Sequence, residues 1–333
     1  MQNKPTAANA LTAEQRQQLE ADYTFKRVVE LELDPVRGNF DAAHLKEVNR
    51  RIFQDLPGAG FDDVTPGEFR KPVADGLDWM KQRGLSTVDG PFYVAYSRMD
   101  GAATARLDKA LEAANPDELR GLKTPEFTAR LAKIYTELDY VHPFSDGNSR
   151  TLRTFTKQLA KDAGYEVDWE RFGRSDVGRD LLYIARDRSV NELAKPHVQH
   201  ENTMRKILHT QDRLEGNRAL PDLLRDAARP SRAVAFEQMS EREALKEHPE
   251  LQEAYKTMHT AAAYFASKMP GKPEAQEAGI QSVMSHVQTR LNAGETADFS
   301  RGREQEKQQK QEQPERQTLQ QQQRPEPGPE RER

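Results

Sequence analysis

Residues 140–153 read YVHPFSDGNSRTLR and gather His142, Asp146, Asn148, Arg150 and Arg153 around one glycine, Gly147. These types suit chemistry on a phosphate. An imidazole titrates near neutral pH and can take a proton from an attacking group. A carboxylate at Asp146 suits Mg²⁺, which takes one or two carboxylates together with substrate phosphates. Arg150 and Arg153 stand three residues apart and share a helix face. Taken singly, each has a plainer reading: a histidine closing a helix, an Asp-Gly-Asn turn, two solvated arginines. Taken together at this spacing, they read as a site.

The flanking elements fix where that site stands. Upstream, KTPEFTARLAKIYTELDYV predicts a helix ending near Val141, with Thr124 as its cap and Pro125 at its first position. Phe127, Leu131, Ile134, Tyr135 and Leu138 form its apolar stripe. Downstream, a helix runs from about Ser149 to Ala163, burying Leu152, Phe155 and Leu159, and Gly164 stops it. The loop between them lies against a helix N-terminus, where free N–H groups and about half a positive charge attract anions. Gly147 allows close backbone approach or a positive φ. Earlier, NFDAAHLKEVNRRIF opens on Asp41 as N-cap and places Leu45, Val48 and Ile52 on one face. The one good strand candidate is GPFYVAYSRM, residues 90–99, where aromatic and β-branched residues concentrate. The fold expected is all-α with a single small hairpin.

HPFSDGNSRTLR resembles the signature of Fic-domain proteins, HxFx(D/E)GNGRxxR, at every defined position except Ser149, where the AMP-transferring members usually carry glycine. GNFDAAHLKEVNRRIFQD is similar to the family's early helix, GPFYVAYSRM lies where the family places its target-docking flap, and TLRTFTKQLAKDAGYEVDW resembles the segment after the motif. PGAGFDD, residues 57–63, lacks the family's usual tryptophan. The likeness covers about residues 20–205. It implies transfer of AMP from ATP, with Mg²⁺, to a hydroxyl side chain of a target protein.

On that resemblance His142 is the base and Asp146 holds the metal. Gly147, Asn148 and Ser149 line the nucleotide phosphates, Arg150 binds near the β-phosphate and Arg153 reaches the γ-phosphate. Phe144 anchors the loop, and the flap residues Phe92, Tyr93, Val94 and Ala95 pair with an extended segment of the target. An inhibitory (S/T)xxxE(G/N) helix is not found: only Glu201 and Glu215 precede Asn or Gly, and His197 and Gln211 stand four residues before them. Inhibition is therefore expected from a small separate antitoxin that supplies such a helix to Arg153. The family suggests a topoisomerase subunit such as DNA gyrase as target. Alternatives are an effector delivered by type IV secretion, a transferase of another phosphate-containing group, and a binding module without turnover.

The chain has 333 residues, a formal net charge of −4 and no cysteine, and its mean hydropathy is −0.92. A near-neutral balance argues against bulk binding to nucleic acid. Without cysteine, disulfides and cysteine-ligated zinc are excluded, which fits a reducing compartment. No apolar run nears the roughly 20 residues of a membrane helix. MQNKPTAANALTAEQRQQ lacks the apolar core of a signal peptide, so a cytoplasmic location is expected. The expected organisation is an N-terminal extension over 1–19, a Fic domain over 20–212, a linker with one short helix over 213–231, a small bundle of about three helices over 232–299, and a tail over 300–333. That tail has one aliphatic residue, Leu319, and is read as disordered because it cannot bury enough apolar area to offset its ordering entropy.

Overall fold

Thr12 starts the first helix. Its hydroxyl accepts from the Gln15 N–H at 3.2 Å, and the Gln15 side chain accepts from the Thr12 N–H at 3.0 Å, a capping box. The structure, a computed structural model, describes residues 11–295. α1 (Ala13–Leu33) thus begins inside the stretch expected as an N-terminal extension, and Leu19 already packs on the core. α2 (Ala42–Phe53) follows, capped by Asp41, with Leu45, Val48 and Ile52 buried as their spacing requires.

Next comes an antiparallel hairpin of β1 (Trp79–Arg83) and β2 (Phe92–Tyr96), with Lys81 opposite Val94. α3 (Gly101–Glu112) and the short α4 (Pro116–Leu119) lead to α5 (Thr124–Val141), the central helix. Lys123, one residue before the expected Thr124, is its N-cap. The Pro125 ring leaves no N–H to satisfy there. Phe127, Leu131, Tyr135 and Leu138 are fully enclosed by α3, α6 (Asn148–Asp162), α7 (Asp176–Ala194) and α9 (Leu220–Ala227). α6 ends as expected before Gly164, whose φ is +83°. α8 (Glu201–Arg213) lies against β2 and α7.

The expected linker is part of this body. Leu220, Leu223 and Leu224 of α9 are buried in the main core, and β4 (Ala228–Pro230) pairs with β3 (Tyr165–Val167) as a second two-stranded sheet. Leu220-Leu223-Leu224 is an i, i+3, i+4 apolar face, which needs a partner rather than solvent. The described residues divide into two compact units at Ser231/Arg232. In the second, α10 (Ser231–Gln238), α11 (Glu241–Glu247), α12 (Gln252–Lys268) and α13 (Pro273–Asn292) enclose Leu251, Ala254, Met258, Val287 and Leu291. That is four helices among the described residues where about three were expected. The tail over 300–333 lies outside the described residues.

The flap differs from what its sequence led us to expect. β2 was expected to offer its edge to a target strand, yet that edge is taken. The Ala95 N–H donates to Asn191 Oδ1 at 3.0 Å, the Asn191 Nδ2 donates to Tyr93 O at 2.9 Å, and the Tyr93 N–H donates to Thr210 Oγ1 at 2.9 Å. Phe92, Val94 and Ala95 are buried. The outer strand of the hairpin is β1. Because the main-chain groups of Tyr93 and Ala95 turn away from β1, those of their partners Gln82 and Met80 turn outward. The outer edge of the hairpin is therefore that of 79–83.

Candidate active site

α5 hands the chain to the loop through His142, its C-cap, which takes left-handed angles of φ 50° and ψ 61°. Such a conformation costs a non-glycine residue about 1–2 kcal/mol. Arg70 holds it there. Its Nε donates to His142 O at 2.8 Å, and Nη2 donates to Ser97 O at 2.7 Å and Val141 O at 3.2 Å. The guanidinium also lies 3.6 Å above the Trp79 ring. Burial pushes its pKa down to about 9.

The loop closes on Asn148. Its side-chain oxygen accepts from the Phe144 N–H at 3.0 Å and its amide donates to Phe144 O at 2.7 Å. The side chain of Asn148 therefore shapes the loop. Phe144 is buried against Phe69. Gly147 has φ +72°, and a Cβ there would stand 1.9 Å from Phe53 Cζ. Both facts demand glycine. As the N-cap of α6 it offers no side-chain acceptor, so the first-turn N–H groups are left for an anion.

The His142 imidazole is enclosed by aromatic rings, Tyr96 at 3.9 Å and Trp79 at 5.2 Å between centroids. Nδ1 faces Asp139 Oδ1 at 3.6 Å, and Nε2 lies 3.2 Å from Lys81 Nζ. An ammonium only donates, so Nε2 is the acceptor and Nδ1 carries the proton. Burial drives the His142 pKa down to about 4; Asp139 opposes this, and Lys81 and Arg186 add to it. The imidazole is neutral at pH 7.

Asp139 is fully buried beneath the site and bound to Arg186, itself 2% exposed. Arg186 Nη2 reaches the two carboxylate oxygens at 3.0 and 2.9 Å, and its Nε reaches one at 3.1 Å. Burial alone would raise the Asp139 carboxyl, but Arg186 and His142 hold it down to about 2. Ser149 belongs to this group: its hydroxyl accepts from Arg186 Nη1 at 3.1 Å. The residue that departs from the family pattern thus has its hydroxyl turned to a buried arginine.

The two motif arginines separate. Arg150 Nη1 donates to Thr24 Oγ1 at 2.7 Å, Nη2 pairs with Glu20, and the guanidinium lies over Phe53. In this arrangement α1 supplies Arg150, expected near the β-phosphate, with a carboxylate and a hydroxyl. Arg153 donates to Ser149 O at 3.3 Å and has no ion pair within 4 Å among the described residues. It lines a cavity of about 410 Å³ between α1 and α6 with Thr24, Phe25, Val28, Arg150 and Trp169.

Asp146 is exposed at the loop mouth, with one oxygen accepting its neighbour's N–H from Gly147 at 2.7 Å. A hard carboxylate beside a helix start that would hold phosphates is a donor set that suits Mg²⁺.

The Fic/DOC family model matches residues 39–160. The probable protein adenylyltransferase Fic of Escherichia coli is 31% identical over 170 residues, which cover 49% of this chain and 71% of that protein. The chain belongs to the Fic/DOC family. Protein adenylyltransferase VbhT of Bartonella schoenbuchensis is 29% identical over 165 residues, 49% of this chain and 30% of VbhT. A protein adenylyltransferase of Bartonella henselae is 29% identical over 147 residues, 44% of this chain and 26% of its own length. The chain thus matches less than a third of the length of those two Bartonella proteins.

Of the expected site residues, His142, Gly147, Asn148 and Ser149 come together at the head of α6 with Asp146 at its mouth. Arg150 and Arg153 turn toward α1. Sequence reasoning missed Lys81, Arg70, Trp79, Asp139 and Arg186. Asp139 was findable, since it stands one helical turn before His142 on the same face. The others come from an irregular stretch, the strand β1 and a distant helix, and no local pattern marks them.

Proposed function

We propose that this chain is a protein adenylyltransferase that transfers AMP from ATP to a hydroxyl side chain of a target protein. The observation that carries the reading is a neutral, buried His142 with its Nδ1 proton toward Asp139, at the start of the loop that leads into the uncapped N-terminus of α6. His142 Nε2 accepts the proton of the attacking hydroxyl. The hydroxyl oxygen forms a bond to the α-phosphorus as the bond to pyrophosphate breaks. A positioned base contributes about 10²–10⁴-fold. The α6 N–H groups at Asn148 and Ser149, the αL turn at Gly147 and the cation of Arg153 bind and orient the phosphates. Arg150 joins them if Glu20 and Thr24 release it. Mg²⁺ held by Asp146 would neutralise charge on the phosphates as pyrophosphate departs.

The outer edge of β1, at Met80 and Gln82, supports docking of the target segment by strand addition, which fixes register through main-chain bonds alone. As target class we take a topoisomerase subunit such as DNA gyrase, on the family resemblance. The groove at Arg153, with Phe25 71% exposed beside it, supports an inhibitory partner: a small antitoxin whose (S/T)xxxE(G/N) helix lays its glutamate on Arg153. Among the described residues no helix is long and apolar enough to cross a membrane, and we place the chain in the cytoplasm. Type IV secretion is the second reading of how it reaches a target, favoured by the separate compact unit after Ser231.

ATP labelled at the α- or the γ-phosphate tests the reaction. Label from the α position on protein supports AMP transfer. Label from the γ position alone makes the chain a kinase, and no label from either leaves a binding module or a different donor.

A further inference from the structure

The base is not free in this structure. Lys81 Nζ stands 3.2 Å from His142 Nε2, on the lone pair that must accept the proton of the target hydroxyl. Lys81 is carried by β1, between Met80 and Gln82, whose main-chain groups face outward. Trp79, Lys81 and Arg83 share the inner face of the strand. Trp79 packs on His142, and Arg83 pairs with Asp187. Lys81 is thus fixed on both sides along its strand and half-buried over the imidazole. The other charged or titratable groups facing His142 are Asp139 from α5, Arg186 from α7 and Tyr96 from β2, and Arg70 binds its carbonyl.

We propose that Lys81 is a positioning residue that occupies the hydroxyl's place on the base until a target strand docks on the outer edge of β1. Its ammonium keeps Nε2 from water, so a bound nucleotide meets no activated water in the absence of a target. When a strand pairs with Met80 and Gln82, the hydroxyl it presents takes the place of the ammonium. Asp146 attracts the Lys81 charge across the loop, and the donor phosphates would do the same. The proposal rests on the AMP-transfer reading for its second half, while the resting contact between Lys81 and His142 does not depend on that reading.

Two measurements test it, on the full chain and on Lys81→Met and Lys81→Arg variants. The first is the NMR titration of the His142 ring in the absence of nucleotide. Losing the donor and its charge in Lys81→Met raises the His142 midpoint from about 4 by about one pH unit, tenfold in proton affinity, and Lys81→Arg keeps it low. An unchanged midpoint in a folded Lys81→Met chain overturns the proposal, whatever the chain's activity. The second is release of AMP from ATP into water without target protein. Lys81→Met raises that rate by about tenfold, whereas a rate equal to or below that of the wild type overturns the shielding role. If the wild-type chain consumes no ATP with or without target, the AMP-transfer reading fails, and the titration still decides the contact.

Discussion

Asp139→Asn exposes how much of this fold rests on one buried ion pair. Asp139 is fully enclosed and Arg186 is 2% exposed. The guanidinium places three of its hydrogen bonds on that carboxylate and a fourth on Ser149. An amide at 139 keeps the shape and one acceptor oxygen but leaves the Arg186 charge buried without its counter-ion. Breaking such a pair from one side costs about 3–5 kcal/mol. Asp187 helps to stabilise the Arg186 cation while it is itself bound to Arg83, so the lower end, about 3 kcal/mol, is the expected loss. The chain has two tryptophans, Trp79 and Trp169, both in the unit that ends at Ser231. Urea unfolding followed by tryptophan fluorescence therefore reads this unit alone. The double variant Asp139→Leu/Arg186→Met removes both charges and recovers stability to within about 1 kcal/mol of the wild type. Activity separates from stability: AMP transfer stays lost in the double variant, because the Nδ1 proton of His142 no longer faces a carboxylate. A single variant that costs less than about 1 kcal/mol, or a double variant as unstable as the single, refutes the argument.

Further predictions concern the loop and the flap. Gly147→Ala forces an unfavourable φ and overlaps Phe53, a loss of about 2–5 kcal/mol in urea unfolding; adding Phe53→Leu recovers the overlap part and leaves the φ part. Gln82→Pro removes an outward N–H without touching the β1–β2 ladder, so transfer to a protein target falls while the melting temperature holds. The same substitution at Tyr93 breaks the bond to Thr210 and destabilises the hairpin. His142, near 6.5 when unfolded and about 4 when folded, refuses a proton that the unfolded chain binds. Stability at this position is therefore unaffected above pH 6.5 and falls as pH drops toward 4, by up to about 3 kcal/mol. His142→Asn flattens that part of the urea-midpoint profile between pH 6.5 and 4.

What the sequence made legible follows from how local each signal was. α5 and α6 could be read closely because their apolar stripes repeat at helical spacing and Pro125 and Gly164 mark their ends. The loop between them followed, and with it His142, Asp146 and Gly147. The flap was half legible. FYVAY looked like a strand because aromatic and β-branched residues concentrate in it, whereas the side chains of Asn191 and Thr210 that close its edge come from distant helices. Its partner WMKQR has no strand signature, yet it carries Lys81 and the outer edge. The stretch 213–231 looked like a linker because Pro221 and Gly216 punctuate it, although Leu220, Leu223 and Leu224 already marked a helix face with something to cover. Arg70 and Arg186 reach the site from 72 and 44 residues away from His142, and nothing in their neighbourhoods announces what they hold.

The central claim is that His142 is the base for transfer of AMP. Its most direct test is single-turnover transfer of α-phosphate label from ATP to protein by the wild type and by His142→Ala, with equal nucleotide binding verified for both. The expected result is a fall of about 10²–10⁴-fold in the variant at pH 7. Transfer that survives the substitution at the wild-type rate contradicts it.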